Sequence, residues 1–449
     1  MRRIVPLAAL LGTLVLGLTR PAYGIPSFAR QVGADCRTCH TMWPDLNPFG
    51  RRFKLSGYTM SRSAKPYELP PPVSGAAQVS FSRTASPQPD GFIPANWATH
   101  SASAGNDVFG VPQAASLYYG GRIYGPVGAF VQGTFDGGAN RIMLDMTDIR
   151  FAGEAKLFKK GLTYGLTVNN SPTLQDVYNS TPAFGFPYAA SSVAPTPAAS
   201  TIVDGVLDQQ VGGIGAYALW SDSLYLEGAL YHSTETGLAK PLGAGTDADT
   251  VVQGLAPYWR LALQKNWGEH SLSVGTFGLQ ARILPAAMTS GPTDRYTDAA
   301  VDAQYEFVGS KQMVTAHAHW IHEDRGLGAS HALGLAASGS GRLDTLHIHG
   351  HYMIPSRAGD IGLSAAYFST TGSADSLLYS PQAVDGSRTA SPNSRGVILE
   401  GDLIFLKQFK ASLQYVLYTA FNGARLDYDG FGRNASGNNT VYFLLWFMF

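Results

Sequence analysis

From about residue 75 to its end, the chain alternates apolar and polar positions in segments of roughly ten residues, the period of a strand whose two faces meet different surroundings. Sixteen such segments can be counted, centred near residues 80, 118, 131, 152, 165, 215, 228, 261, 276, 302, 317, 348, 365, 401, 414 and 445. Around Leu399, for instance, Val397, Leu399, Gly401, Leu403 and Phe405 share one face, and Ile398, Glu400, Asp402 and Ile404 share the other. One face suits lipid and the other water. The connections alternate too. Gly125-Pro126, Lys159 to Gly161, Ser221 to Ser223, Asn266 to Glu269, Gly309-Ser310, Pro355 to Asp360 and Leu406 to Gln408 are short. Between them lie long stretches rich in Gly, Ser, Pro and Asp, the largest from about Ser171 to Asp208.

Any one of these segments would serve as a half-buried strand in a soluble sandwich. The unbroken series predicts an all-β fold over residues 75–449, a 16-stranded antiparallel outer-membrane β-barrel with short periplasmic turns on one rim and long extracellular loops on the other. An even strand number puts both barrel ends in the periplasm. The last segment carries an apolar stripe, Val441, Phe443, Leu445, Phe447 and Phe449, and looks like the terminal strand that the outer-membrane assembly machinery recognises. Composition agrees. Charged residues make up 14% of the chain, against about 25% in soluble domains. No later stretch reaches the ~18 consecutive apolar residues of a helical span, which leaves the closed barrel as the membrane-compatible structure.

The N-terminus follows other rules. Arg2 and Arg3, an apolar run from Ile4 to Leu18, and small residues at Ala22 and Gly24 predict a signal peptide over residues 1–24, cleaved after Gly24; the apolar run is short for an anchoring helix. The chain has 32 basic and 32 acidic residues, and removing Arg2, Arg3 and Arg20 lowers the basic count to 32 − 3 = 29. That balance implies no nucleic-acid partner. Residues 25–65 then form a short segment, joined to the barrel by a linker over 66–74 containing Pro66 and Pro70 to Pro72.

That segment holds the chain's only two cysteines, in the sequence CRTCH from Cys36 to His40. Two cysteines and a following histidine at this spacing make an attachment site for one covalent haem c. Each thiol adds to one vinyl group, and His40 supplies the proximal iron ligand. A redox dithiol, a disulfide or half a zinc site would use the same residues, but no second ligand pair or thioredoxin-like unit accompanies them. Some 40 residues rarely build an adequate core around a porphyrin. A barrel of sixteen strands has a lumen wide enough for a plug, so the haem segment is expected inside its own barrel or at the periplasmic mouth.

After His40 the chain reads TMWPDLNPFGRRFKLSGYTM. The pattern CxxCH, then P-x-L-N-x-F-G-x-x-F-K-x-x-G-Y, carried by Cys36, Cys39, His40, Pro44, Leu46, Asn47, Phe49, Gly50, Phe53, Lys54, Gly57 and Tyr58, is similar to that of the outer-membrane monohaem cytochrome-porin fusions. The iron-oxidising outer-membrane cytochromes c are their characterised members. The motif covers some 25 residues; the barrel agrees in architecture and length. The resemblance implies oxidation of extracellular Fe(II), with single electrons passed inward to a periplasmic c-type cytochrome or other electron carrier. A haem in the lumen would serve as the relay that a ~25 Å apolar band requires. Outward electron export, or a diffusion porin with a structural or sensing haem, would use the same parts.

Five histidines alternate along two consecutive strands: His317 and His319 in TAHAHWIH, then His347, His349 and His351 in LHIHGHY. Their parity sends all five into the lumen, and a hairpin would set them side by side as candidates for lumen iron or the distal haem ligand; a polar wall packed on the plug would use them equally well. Met60 is a candidate distal ligand, or a filler of the plug core. Pro44, Leu46, Phe49, Phe53 and Tyr58 are candidates for haem packing, and Pro44 or a nearby carbonyl for orienting the His40 ring. Arg51, Arg52 and Lys54 would pair with propionates or with inward Asp302, Glu306, Glu400 and Asp402. Acidic loop pairs, Asp247 with Asp249 and Asp427 with Asp429, are weaker candidates for gathering Fe(II).

Overall fold

The computed structural model describes residues 26–89, 105–137, 141–172, 174–181, 191, 193–233, 250–357 and 359–449. The expected signal peptide, and Asp247 with Asp249, lie outside them. Sixteen long strands follow one another: β1 (Val73–Thr84), β2 (Asp107–Tyr124), β3 (Val127–Asp136), β4 (Arg141–Leu157), β5 (Lys160–Asn169), β6 (Gly212–Trp220), β7 (Leu224–His232), β8 (Ala256–Trp267), β9 (His270–Leu284), β10 (Asp294–Val308), β11 (Met313–Gly326), β12 (Ser340–Ile354), β13 (Asp360–Gly372), β14 (Ser394–Phe405), β15 (Phe409–Ala420) and β16 (Thr440–Met448). Every predicted segment centre falls within one of them. A two-residue strand, Val251–Val252, adds to β9 beyond the end of β8.

Each strand pairs antiparallel with its sequence neighbours, and the sheet closes where β16 pairs with β1, from Thr440 opposite Thr84 to Met448 opposite Ala76. The Phe449 amide then donates to the Gly75 carbonyl at 2.9 Å, and the Phe449 carbonyl accepts from the Gly75 amide at 2.8 Å. Closure leaves no edge for another chain to extend. The short turns fall where the sequence places them. The two-residue turn of Phe158 and Lys159 between β4 and β5 holds both residues at positive φ (51° and 63°), the turn type whose twist matches the strands it joins.

Alternation becomes two faces. On β16, Val441 and Phe443 are 39% and 37% exposed, while Tyr442 and Trp446 are buried. On β14, Leu399 is 53% exposed between buried Ile398 and half-buried Glu400. The same apolar outer face runs around the wall through Leu230, Leu263, Val274, Val301, Ile348 and Leu413. A closed sheet with this exterior satisfies every backbone group internally, as a membrane-spanning barrel must.

The N-terminal segment lies inside. Helix α1 (Pro26–Val32), a 3-10 turn (Cys36–Thr38), a hairpin (His40–Met42 with Asp45–Leu46) and helix α2 (Pro48–Leu55) touch the wall on all sides. Tyr58 Oη donates to Asp148 of β4 at 2.6 Å and Tyr217 Oη of β6 donates to the Leu55 carbonyl at 2.8 Å. Thr315 of β11 meets Thr41 at 2.7 Å, and Trp43 packs edge-on against Trp446 of β16. The Sγ of Cys36 lies 3.8 Å from the carbonyl of Lys407, in the short turn after β14. The plug therefore occupies the half of the lumen nearest the short turns.

One expectation needs correction. The long connection from Ser171 to Asp208 is not wholly an extracellular loop, because its described residues fold into the lumen. Val177 and Tyr178 are fully buried, and Asn179 exchanges hydrogen bonds with the backbone of Leu46 at 3.1 and 3.2 Å. Farther along, the amides of Ile202 and Val203 donate to Glu323 of β11 and Asp298 of β10 at 2.7 and 2.8 Å. Buried carboxylates need donors, and the loop backbone brings them.

Candidate functional site

The CRTCH segment is held by backbone geometry. The Cys39 amide donates to the Cys36 carbonyl at 3.1 Å, and the Cys39 carbonyl accepts from the Asn47 amide at 2.8 Å. Asn47 caps α2 by accepting from the Gly50 amide at 3.0 Å, while its Nδ2 donates to the Arg37 carbonyl at 3.1 Å. Gly50 faces the same turn so closely that a Cβ there would lie 2.2 Å from the Cys39 oxygen. The residue alphabet at Asn47 and Gly50 is therefore set by contact with the turn that carries the cysteines.

His40 Nδ1 lies 2.9 Å from the Pro44 carbonyl and 3.3 Å from that of Asp45. Two acceptors facing one nitrogen require the proton there, which leaves Nε2 as the lone-pair atom. Burial lowers the ring's pKa, although these carbonyls and the Asp45 charge oppose it. Burial, with Asp35 adding to it, pushes the Cys39 thiol up to about 12, the opposite of the depressed value a redox-active cysteine carries. Cys36 and Cys39 form no disulfide.

Cys36, Cys39 and His40 share the lining of one cavity of about 200 Å³ between plug and wall. Phe28, Val32 and Phe53 of the plug and Tyr118, Phe130 and Trp446 of the wall make it chiefly apolar. Pro44, Leu46 and Tyr58 line it as well; Phe49 does not, and is 37% exposed. A second cavity, about 270 Å³, opens beside Cys36 and His40 toward the short turns, with Arg37, Arg357 and Lys407 at its border. Two thiols, an imidazole and a chiefly apolar space with cationic side chains nearby are a donor set and lining that would fit a covalently held porphyrin.

Met60 is not among the lining residues, and its carbonyl accepts from Gln31 at 2.9 Å. The methionines among the chamber's lining residues are Met146 of β4 and Met448 of β16. Sequence reasoning passed over both, although the parity of β16 already turns Met448 away from the lipid stripe.

The histidines are brought together as expected. In the β11–β12 ladder His317 stands opposite His349 and His319 opposite His347, with His351 opposite Thr315. Ring centroids are 4.9 Å apart for the first pair, 4.7 Å for the second and 5.1 Å between His349 and His351. His317 and His319 are each 2% exposed. At the plug end, Asp45 Oδ2 lies 3.1 Å from His351 Nε2 and 3.7 Å from His349 Nε2. Burial alone would raise the Asp45 carboxyl, but the hydrogen bonds and charges of these two rings hold it well below the usual carboxylate range.

The basic residues of α2 divide. Arg51 pairs with Glu306 at 2.6 Å and donates to Ser271 Oγ at 2.9 Å. Lys54 donates to the carbonyls of Leu174 and Asp176, and burial, with Arg150 nearby, lowers its pKa to about 8. Arg52 is exposed. Inward Asp302 pairs with Arg260 at 2.8 Å, and Asp402 and Glu400 with Lys410 at 3.1 and 3.6 Å. Asp427 and Asp429 tie the β15–β16 connection to the β13–β14 one, Asp427 against Arg388 at 3.3 Å and Asp429 by accepting from the amide of Val384 as well as from those of Phe431 and Arg433.

No family model matches the chain, and no curated protein matches it. Among solved structures it is similar to the outer membrane channel DcaP of Acinetobacter baumannii, with 11% identity over 84% of this chain and 96% of that one and a TM-score of 0.45. It is also similar to an anion-selective porin from Comamonas acidovorans, with 10% identity over 84% and 98% of the two chains and a TM-score of 0.43. A loop-deleted OmpT, an outer membrane protein of Vibrio cholerae, gives 10% identity, 84% and 99% coverage and a TM-score of 0.43.

Proposed function

We propose that this protein is an outer-membrane barrel whose N-terminal plug carries one covalent haem c and relays single electrons, most simply from extracellular Fe(II) to a periplasmic c-type cytochrome or other carrier. The observation that carries this reading is the enclosure of Cys36, Cys39 and His40 around a single chamber between plug and wall. A haem held there supplies a one-electron couple. The chain does the rest. Cys36 and Cys39 would anchor the haem, the Pro44 carbonyl orients the His40 ring and leaves Nε2 as the atom that would bind iron, and the aromatic side chains would pack on the porphyrin. Arg37, Arg357 and Lys407 offer charge to carboxylates at the rim. No proton transfer or nucleophile is required.

The test uses the full-length, haem-loaded protein in detergent. Mixing its ferric form with Fe(II) is expected to convert the haem absorption bands to the ferrous form; unchanged bands would sink the reading. A second reading, a diffusion porin in which the haem is structural, draws on the closed barrel itself. It calls for solute-permeable liposomes and a haem indifferent to Fe(II).

A further inference from the structure

We propose that the lumen holds two stations for a divalent first-row transition ion, one at Asp204, His319 and His347 and one at Asp45, His349 and His351, with His317 between them. Within each trio the ligating atoms lie within 4.8 Å of one another. A carboxylate and two imidazoles are a donor set suited to Fe(II), Co(II) or Zn(II). Three protein ligands leave further positions to water, so an ion can enter and leave.

The two trios are built from one rigid frame and two visiting segments. The frame is the β11–β12 ladder, which fixes the spacing of all five rings. The infolded loop delivers Asp204, held by the amides of the preceding Ile202 and Val203 on Glu323 and Asp298 and by Ser200 Oγ donating to its own carbonyl. The plug hairpin delivers Asp45. His351 is oriented from behind by Ser364 Oγ, 2.5 Å from its Nδ1, the kind of outer support that metal-bound histidines use.

An independent observation points to an ion. Both ring nitrogens of His317 and both of His319 lack a hydrogen-bond partner among the described residues, although each side chain is 2% exposed. Buried polar atoms are otherwise almost always satisfied, and an orphaned one calls for an ion or a water. Asp204 forms no ion pair among the described residues, and the charge acting on it is the like charge of Asp208. The second station also adjoins the haem ligand: Asp45 offers its carboxylate to His351 and its carbonyl to His40.

This deepens the electron-relay reading, and rests on it only for the identity of the ion as Fe(II). The test is equilibrium dialysis of Co(II) against the full-length, haem-loaded, tag-free protein, with metal counted per chain and the visible ligand-field bands recorded. Wild type is expected to retain two Co(II), and His319→Gln with His347→Gln, or His349→Gln with His351→Gln, to retain one each. Asp204→Asn and Asp45→Asn, which keep side-chain volume, should each weaken one site about tenfold or more while heat-modifiable mobility shows an intact barrel. Any other count, or affinities unmoved by both Asn variants, overturns the proposal. If two Co(II) bind yet Fe(II) leaves the haem ferric, the stations stand and the electron-relay reading falls.

Discussion

Arg51 of the plug and Glu306 of the wall meet at 2.6 Å with their side chains 3% and 1% exposed. Deleting one partner of such a pair leaves a buried charge unmatched, at a cost of about 3–5 kcal/mol. Glu306→Leu is therefore expected to loosen the plug while sparing the barrel, read as faster proteolysis within residues 26–65 at unchanged heat-modifiable mobility. The double variant Arg51→Met with Glu306→Leu should recover most of the protection.

Gly50→Ala places a methyl 2.2 Å from the Cys39 oxygen. The helix or the CRTCH turn must then shift. The expected result is several-fold less covalently attached haem per chain, measured by absorbance after denaturation, with assembled barrel still obtained.

Lys54 makes plug docking depend on pH. Its pKa is about 8 in the folded chain, against an ordinary 10.5, so between those values the unfolded segment carries a proton that the docked one does not. Stability then rises with pH across that window and is lowest below 8. Denaturant release of the plug, followed by Trp43 fluorescence, should shift to higher denaturant between pH 7 and 10, and Lys54→Met should flatten the shift.

Met60→Leu should leave the haem absorption spectrum unchanged, since Met60 stands outside the chamber lining. A loss of any sulfur-to-iron band in this variant would mean that the segment after α2 reaches the iron.

Leu399 tests the outer face. It is 53% exposed near the middle of β14, where Arg on a lipid face costs about 2–4 kcal/mol. Leu399→Arg should lower the denaturant midpoint of barrel unfolding in bilayers, while Glu400→Gln, half-buried on the inner face, should have a smaller effect.

The wall was legible because alternation has a period of two and lipid and lumen impose it on every strand, down to which face His317 and His349 take. The plug's location followed from its small size. What stayed hidden depended on partners remote in sequence. Nothing in the Gly- and Pro-rich stretch around Asp204 says that it turns inward; the clue lay across the barrel, in the inward carboxylates of Asp298 and Glu323, which need backbone donors. Asp45 was overlooked between two motif residues because its partners are three hundred positions away. Met60 was favoured by proximity to His40 in sequence, whereas Met146 and Met448 are near it through the curvature of the wall.

The chamber beside the cysteines draws its lining from β2 on one side and β16 on the other, so it straddles the line along which Met448 and Ala76 zip the cylinder shut. That dictates an order of biogenesis. Strands from the two ends of the chain grip a segment that precedes them all. The plug is therefore expected to be in place when the final hairpin seals around it, much as a ship is built in the bottle.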